Sequence, residues 1–241
     1  MAKRSRRARL LRFAALVAGL LLLATVLPVL MLRWIDPWTS AFMLDARFDA
    51  ARAKHRDYAT HYEWVSLEQI APHAALAVIA AEDQQFPFHT GFDLKSIRKA
   101  IQTNTTSKHV RGASTITQQV AKNLFLWSGR SYVRKGLEAY FTLLIEWLWP
   151  KERILEIYLN IAEFGRGVYG VEAAAQRFFR KPAGRLSATE SATLAAVLPN
   201  PRVLKVERPS PYVLQRRRWI LQQMRALGGR SYLEQLDAGA D

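Results

Sequence analysis

The sequence predicts a mainly α-helical protein with a single apolar segment near its N-terminus. Three observations carry this. Apolar residues recur at helical rather than alternating spacing in most of the chain, helix start signals punctuate those runs, and strand-like alternation is scarce. One twenty-residue stretch stands apart because it has no charge at all. With 241 residues the chain is long enough for one or two domains with a proper core.

From the N-terminus, residues 1–12 form a basic tail holding Lys3, Arg4, Arg6, Arg7, Arg9 and Arg12. Residues 13–32, FAALVAGLLLLATVLPVLML, follow without a charge. At ~1.5 Å per residue a helix of this length spans ~30 Å, the thickness of a hydrocarbon core. Twelve of the twenty residues are Leu, Val or Phe, which favours insertion despite Gly19 and Pro28. A cleaved signal peptide has a shorter apolar region, and no small-x-small site precedes Arg33-Trp34, so the stretch reads as an uncleaved anchor. The basic tail places the N-terminus in the cytoplasm and the remaining chain across the membrane. Trp34 and Trp38 fall where interfacial aromatics are expected.

Residues 33–64 read as a juxtamembrane connection and 65–241 as one domain, since no repeat or Pro/Gly/Ser linker divides the latter. Ser66-Leu67-Glu68-Gln69 has capping-box spacing, and the apolar run behind it predicts a buried helix ending near Glu82. Asp93 caps a helix over LKSIRKAIQT, and 104–112 is a polar loop. Further helices are predicted over TITQQVAKNLFL, YVRKGLEAYFTLLIEWLW, PKERILEIYLN, VEAAAQRFF, ATESATLAAVL and YVLQRRRWILQQMRAL, the last closing at Gly228-Gly229. Pro150 at a helix start and the Ser187/Glu190 capping box support two of them.

Composition narrows the chemistry. No cysteine is present, which removes disulfide scaffolds, thiol nucleophiles and cysteine-based zinc sites. Lys and Arg number 35 against 20 acids; beyond residue 33 the balance is 28 bases to 20 acids, a net +8. That charge suits an anionic membrane surface or ligand. A nucleic-acid binder fits less well, because the bases alternate with acids and the positive-inside rule already explains the N-terminal cluster.

Three motif matches fail on context. Gly165 to Gly170 fits the dinucleotide fingerprint, but a helix rather than a strand precedes it, so a tight helix–helix loop is expected. Ser96-Ile97-Arg98-Lys99 fits S-x-x-K without its S-x-N and K-T-G partners. His55, His61, His73, His89 and His109 show no metal-ligand spacing.

The stronger constellation begins at Glu82-Asp83, two acids leaving an apolar helix, followed by aromatics and a glycine turn. Desolvation of a carboxylate suits it to general acid or base work near neutral pH. A solvated helix end followed by the cap Asp93 accounts for the same residues. Next, GASTITQQVAKN brings hydroxyls, amides and backbone N–H groups to a helix start, where sugar and phosphate oxygens bind well. Arg130, Arg134 and Lys135 then surround a second acid, Glu138.

These segments, EDQQFPFHTGFD, GASTITQQVAKN, RKGLE, KERILEIYLN and GVEAAAQRFF…KPAGRLS…LPNP, resemble in order and spacing the motifs of the peptidoglycan glycosyltransferases. The resemblance covers roughly residues 65–201. A short basic tail, one anchor and no transpeptidase domain are similar to the monofunctional form of Gram-negative bacteria. It implies a lysozyme-like, two-lobed α fold with a small membrane-facing lobe. The implied activity is polymerisation of lipid II into β-1,4 glycan strands, with inversion and release of undecaprenyl pyrophosphate. The implied location is the bacterial inner membrane, single-pass, N-terminus cytoplasmic and catalytic domain periplasmic. The implied partners are lipid II, the growing glycan strand and the bilayer, with room for other cell-wall synthesis or division proteins and none for nucleic acid.

By motif position the resemblance makes Glu82 the general base for the acceptor 4-hydroxyl and Glu138 the second essential carboxylate, beside the donor pyrophosphate. Lys99, Lys122, Arg130, Arg134 and Lys135 match its phosphate-binding bases, and Ser114 and Gln119 its substrate contacts. Asp83 counts with the substrate-binding set as a support for Glu82, while Glu156 and Asn160 are structural. Some members carry a base just before the second Glu, where Leu137 stands here. No cofactor is required on this reading, although carboxylates near a pyrophosphate allow a bridging Mg²⁺ or Mn²⁺. A pyrophosphate leaves with help from positive charge rather than a proton donor, whereas a glycosidase needs two flanking carboxyls. The nearest alternative is therefore a lysozyme-like lytic enzyme, which needs neither the basic cluster nor the anchor. Residues 123–127, NLFLW, suit either entry into the bilayer or core packing.

Overall fold

A computed structural model describes residues 2–55, 57–95, 98, 114–129 and 131–236, with side chains from residue 10 onward. It divides into two compact units, residues 1–36 and 37–241. The first is helix α1 (Ala2–Met31) with a short turn after it. Its Leu10–Met31 portion is 22 residues long and apolar enough to cross a membrane. Thr25 folds its hydroxyl back onto the Leu21 carbonyl at 3.1 Å, which keeps a polar group satisfied inside an apolar helix. Pro28 removes one donor from the last turn.

The second unit is mainly helical, as expected. It opens with α2 (Ala41–Arg52), capped by Ser40, and β1 (His61–Tyr62). Then come α3 (Pro72–Glu82), α4 (Ile116–Phe125), α5 (Tyr132–Leu148), α6 (Lys151–Ile161), β2 (Glu163–Gly165), β3 (Val168–Tyr169), α7 (Val171–Phe179), α8 (Ala188–Val197) and α9 (Pro211–Ala226). Short 3₁₀ turns lie at Leu67–Gln69, Phe86–Phe88, Ala183–Arg185 and Gly229–Gln235.

Helix α3 has no polar face: every residue from Ala74 to Ala80 is buried. A helix apolar all round must be enclosed. It is enclosed by α8 and α9, with the final 3₁₀ turn also against it. Helices α4, α5 and α6 form the other group, α4 packing on both neighbours and on α2. Strong local signals start these helices. Thr115 and Gln118 form a reciprocal capping box on α4, Ser187 and Glu190 do so on α8, and Ser131 and Ser210 cap α5 and α9.

Three expectations change, and one open alternative narrows. The capping box at Ser66 does not form. Pro72 fixes the first turn of α3 and disfavours helical geometry at Ala71, so the helix cannot run back to residue 67. The Leu67 and Val65 amides instead donate to Glu156 Oε1 and Asn160 Oδ1, each at 3.0 Å, which gives both α6 residues their structural task. Second, the 163–170 segment is a β-hairpin, not a plain loop: β2 and β3 pair antiparallel. Gly167 has φ +74°, and a Cβ there would lie 2.3 Å from the Ala59 carbonyl oxygen. Third, β1 joins this hairpin parallel to β3, with His61 opposite Val168 and Tyr62 opposite Tyr169, giving sheet order β1-β3-β2. The 33–64 stretch is therefore not a bare connection; from residue 37 it belongs to the folded unit. Of the two readings open for NLFLW, core packing fits most of it: Leu124 and Leu126 are buried and Phe125 stacks on Phe141 at 4.7 Å, leaving Trp127 exposed. Of LKSIRKAIQT, Leu94, Lys95 and Arg98 are helical; Ser96, Lys99, His109 and the 104–112 loop lie outside the described residues.

Candidate active site

Glu82 is the last residue of α3, where the buried helix delivers it to the junction of the two helix groups. Its Oε2 accepts a hydrogen bond from Gln119 Nε2 of α4 at 2.9 Å. Its Oε1 lies 3.3 Å from Arg216 Nη2 of α9, which also reaches the Ala81 carbonyl. Gln119 in turn accepts from the Tyr158 hydroxyl of α6 at 3.1 Å. Burial raises the Tyr158 pKa well above its ordinary value, with the Glu82 and Asp83 charges adding to the rise, so the phenol stays protonated and donates. The desolvated setting expected for Glu82 is thus corrected: polar donors from two helices, Gln119 of α4 and Arg216 of α9, hold it. Beside it lies a cleft of about 300 Å³ lined by Glu82, Asp83, Gln84, Asp93, Ser114 and Trp219.

Asp83 faces the other way. Buried at the end of α3, it accepts from the Ile116 amide at 3.0 Å and lies 3.0 Å from His89 Nε2 through both oxygens. His89 Nδ1 accepts from the Gly91 amide at 3.1 Å, so the ring proton sits on Nε2 and points at Asp83. The carboxylate thereby meets the positive end of α4 and ties it to α3. Its two oxygens are engaged internally, so it braces α3 against α4 while also lining the cleft. The brace continues outward: Lys151 donates to the His89 carbonyl at 2.6 Å and pairs with Glu146 at 2.8 Å, and Glu146 accepts from Thr117.

Glu138 sits on the buried face of α5, 3 % exposed. Arg134 one turn earlier reaches Oε2 at 2.8 Å and Lys135 takes Oε1. Spacings of four and three residues place all three on one helical face. The buried Nε of Arg134 has no hydrogen-bond partner among the described residues, leaving a cationic donor uncommitted. Lys122, on α4, is half-buried. Burial lowers its pKa, Arg134 and Lys135 push it down further, and the negative charges of Glu138 and Glu82 oppose them. Lys122 therefore lies in the field of both carboxylates.

Of the residues picked out in the sequence, Gln119 meets Glu82, Arg134 and Lys135 meet Glu138, and Lys122 lies within electrostatic reach of both carboxylates. Ser114 is exposed on the cleft wall just before α4. Gln119, expected to touch substrate, has both ends of its amide engaged within the protein. Leu137 faces solvent and takes no part. Lys99 and Arg130 lie outside the described residues. Sequence reading missed Arg216 and Tyr158. A buried tyrosine hydroxyl on the apolar face of KERILEIYLN was a usable signal, since it must find a partner. No local pattern singles out Arg216 in its basic helix. Among the described residues no three His, Asp or Glu side chains converge on a ready-made metal site.

Residues 50–225 match the family model described as transglycosylase. The chain belongs to the transglycosylase family. Relatives named biosynthetic peptidoglycan transglycosylase extend the match to nearly the whole chain. One from Xanthomonas campestris pv. campestris (strain B100) is 54% identical over 232 residues, covering 96% of this chain and 94% of the relative. One from Cronobacter sakazakii (strain ATCC BAA-894) is 56% identical over 219 residues, covering 91% and 87%. One from Xylella fastidiosa (strain M23) is 51% identical over 226 residues, covering 94% and 92%. The transglycosylase match takes in Glu82, Glu138 and the helices that hold them, and its end at residue 225 includes Arg216.

Proposed function

We propose that this transglycosylase polymerises lipid II into β-1,4-linked glycan strands, with Glu82 as general base and the cations around Glu138 as the pyrophosphate site. The observation that carries this reading is the unequal treatment of two carboxylates. Glu82 is oriented by one neutral amide and one longer contact to Arg216, so it retains lone pairs for an incoming proton. Glu138 is buried between two cations and cannot serve as a second acid of the glycosidase kind.

In the proposed step the acceptor sugar 4-hydroxyl gives its proton to Glu82 while its oxygen attacks the donor anomeric carbon from the face opposite the leaving group. The bond to the undecaprenyl pyrophosphate oxygen breaks, and Arg134, Lys135 and Lys122 stabilise the negative charge that collects there. Lys99 and Arg130 are assigned to the same phosphate set by motif position. Ser114 and the rest of the cleft by Glu82 are assigned to the sugars. Arg134, Lys135 and Lys122 supply the positive charge on this reading, and a divalent Mg²⁺ or Mn²⁺, if bound, would add charge neutralisation at the leaving group.

The apolar helix α1 supports single-pass anchoring, and the basic tail a cytoplasmic N-terminus with the catalytic unit in the periplasm. On α5 the side opposite Glu138 exposes Val133, Leu143 and Trp147, a stripe suited to a membrane surface where a lipid-linked substrate resides. Other cell-wall synthesis or division proteins are proposed as further partners.

The test is incubation with lipid II. Release of undecaprenyl pyrophosphate, together with a polymer that lysozyme digests, supports the reading. Soluble fragments from finished peptidoglycan, without polymer from lipid II, would move the protein to the lytic alternative.

A further inference from the structure

Glu82 has a partner whose own orientation is not self-evident. A glutamine amide presents either N–H or C=O to a neighbour, and the two choices act oppositely on a carboxylate. An N–H donor favours the ionised form, whereas a C=O acceptor favours the protonated form. Gln119 faces Glu82 with Nε2 and Tyr158 with Oε1. The Tyr158 side chain is buried, and Gln119 is its hydrogen-bond partner among the described residues. A buried hydroxyl that left its proton unpaired would pay the desolvation cost of an unmade bond. Its proton therefore goes to Oε1, and turning the amide over would strand that proton as well as oppose two acceptors at Glu82.

We propose that Tyr158 is a positioning residue that locks the Gln119 amide so that it donates to Glu82 and keeps that carboxylate in the proton-accepting form. The inference rests on Glu82 being the general base. The charged groups facing Glu82 are Arg216 from α9 and Lys122 from α4, with Asp83 beside it on its own strand of chain and Tyr158 behind Gln119 on α6. Arg216 and Lys122 act in the same direction as the amide but through charge, and neither depends on the tyrosine hydroxyl. The contribution of the lock is therefore separable.

The experiment measures kcat/KM for lipid II polymerisation against pH in wild type, Tyr158→Phe, Gln119→Leu and the double variant, with Tm recorded for each. Loss of one charge-assisted hydrogen bond is expected to move the acid limb upward by about one pH unit, a roughly tenfold loss of rate on that limb. The plateau at higher pH should fall much less. Gln119→Leu should shift the limb at least as far, and the double variant no further than Gln119→Leu alone. An unmoved limb in a folded Tyr158→Phe protein, or shifts that add in the double variant, overturns the lock. Wild-type protein supplies an independent measurement that needs no variant: the Gln119 side-chain amide resonances should titrate with the midpoint of the acid limb, and resonances indifferent to pH overturn the lock. The inactivity of Glu82→Gln is read separately. If that variant polymerises lipid II, the base reading itself has failed, while comparison of the Gln119 amide titration in wild type and Tyr158→Phe still reports whether the lock exists.

Discussion

Glu82 and Glu138 are both carboxylates at the meeting of packed helices, yet their surroundings differ in kind. Glu82 ends its helix and is gripped from a distance in sequence: Gln119 lies 37 residues away and Arg216 134. Glu138 lies mid-helix and is gripped by its own turn, through Arg134 and Lys135. As the proposed base Glu82 must exchange a proton, which suits its few contacts, and a longer ionic contact at 3.3 Å leaves room for a hydroxyl. A charge anchor must not exchange one, so it is buried and saturated with cations. On the proposed mechanism the same chemical group serves two purposes according to how tightly its lone pairs are occupied.

The comparison breaks most visibly at Glu82. Glu82→Gln keeps volume and one acceptor but cannot take a proton, so polymerisation should fall ~10²–10⁴-fold with Tm little changed. Turnover of lipid II and a thermal melt check both halves, and a variant retaining more than about a tenth of the rate removes Glu82 from the base role.

Arg134→Ala should lower donor use by roughly 10- to 100-fold, the worth of one charge-assisted contact, and added salt should weaken the wild type in the same direction. Unlike Glu82→Gln, it should also destabilise the fold by about 1–3 kcal/mol, since Glu138 stays buried with half its compensation gone. Chemical denaturation distinguishes the two behaviours; equal Tm for wild type and Arg134→Ala would contradict the anchor description.

Lys122 sharpens the contrast through pH. Its folded pKa lies below the unfolded value, so between the two the unfolded chain binds more protons, and stability must rise with pH across that window. Below the folded pKa the burial penalty is present in full. Lys122→Met should therefore be more stable than wild type at neutral pH, with the advantage shrinking as pH climbs toward the ordinary lysine range, while turnover drops. Melts at several pH values would show this, and a variant less stable at neutral pH would count against it.

The smallest effect belongs far from both carboxylates. Ser187→Ala removes the cap of α8 and should cost ~1 kcal/mol with unchanged kcat/KM, which equilibrium unfolding and steady-state rates can verify.

Legibility in the sequence followed the distance over which each feature is decided. The capping box at Ser187 forms as its spacing suggests, and the caps at Thr115 and Ser131 likewise operate within a single turn. The Arg134-Lys135-Glu138 cluster is likewise a local matter of residues three and four apart, and its grouping could be read directly. Ser66 misled because its spacing was right while Pro72, six residues on, had already decided where α3 begins. The strands escaped because two or three residues are too few to show alternation, and β1 pairs with a hairpin over a hundred residues later.

Arg216 could not have been singled out by any local rule, for what selects it from three consecutive arginines is the packing of α9 against α3. The sequence alone determined the apolar N-terminal helix, the helical class, the family motifs and the cationic face of α5, because each depends on composition or on neighbours within a few residues. Only the tertiary structure decided that Asp83 turns inward to His89 and the Ile116 amide while the adjacent Glu82 turns toward Gln119 and Arg216. Those directions are set by groups contributed from separate helices, and only the packed fold brings such groups within hydrogen-bonding reach.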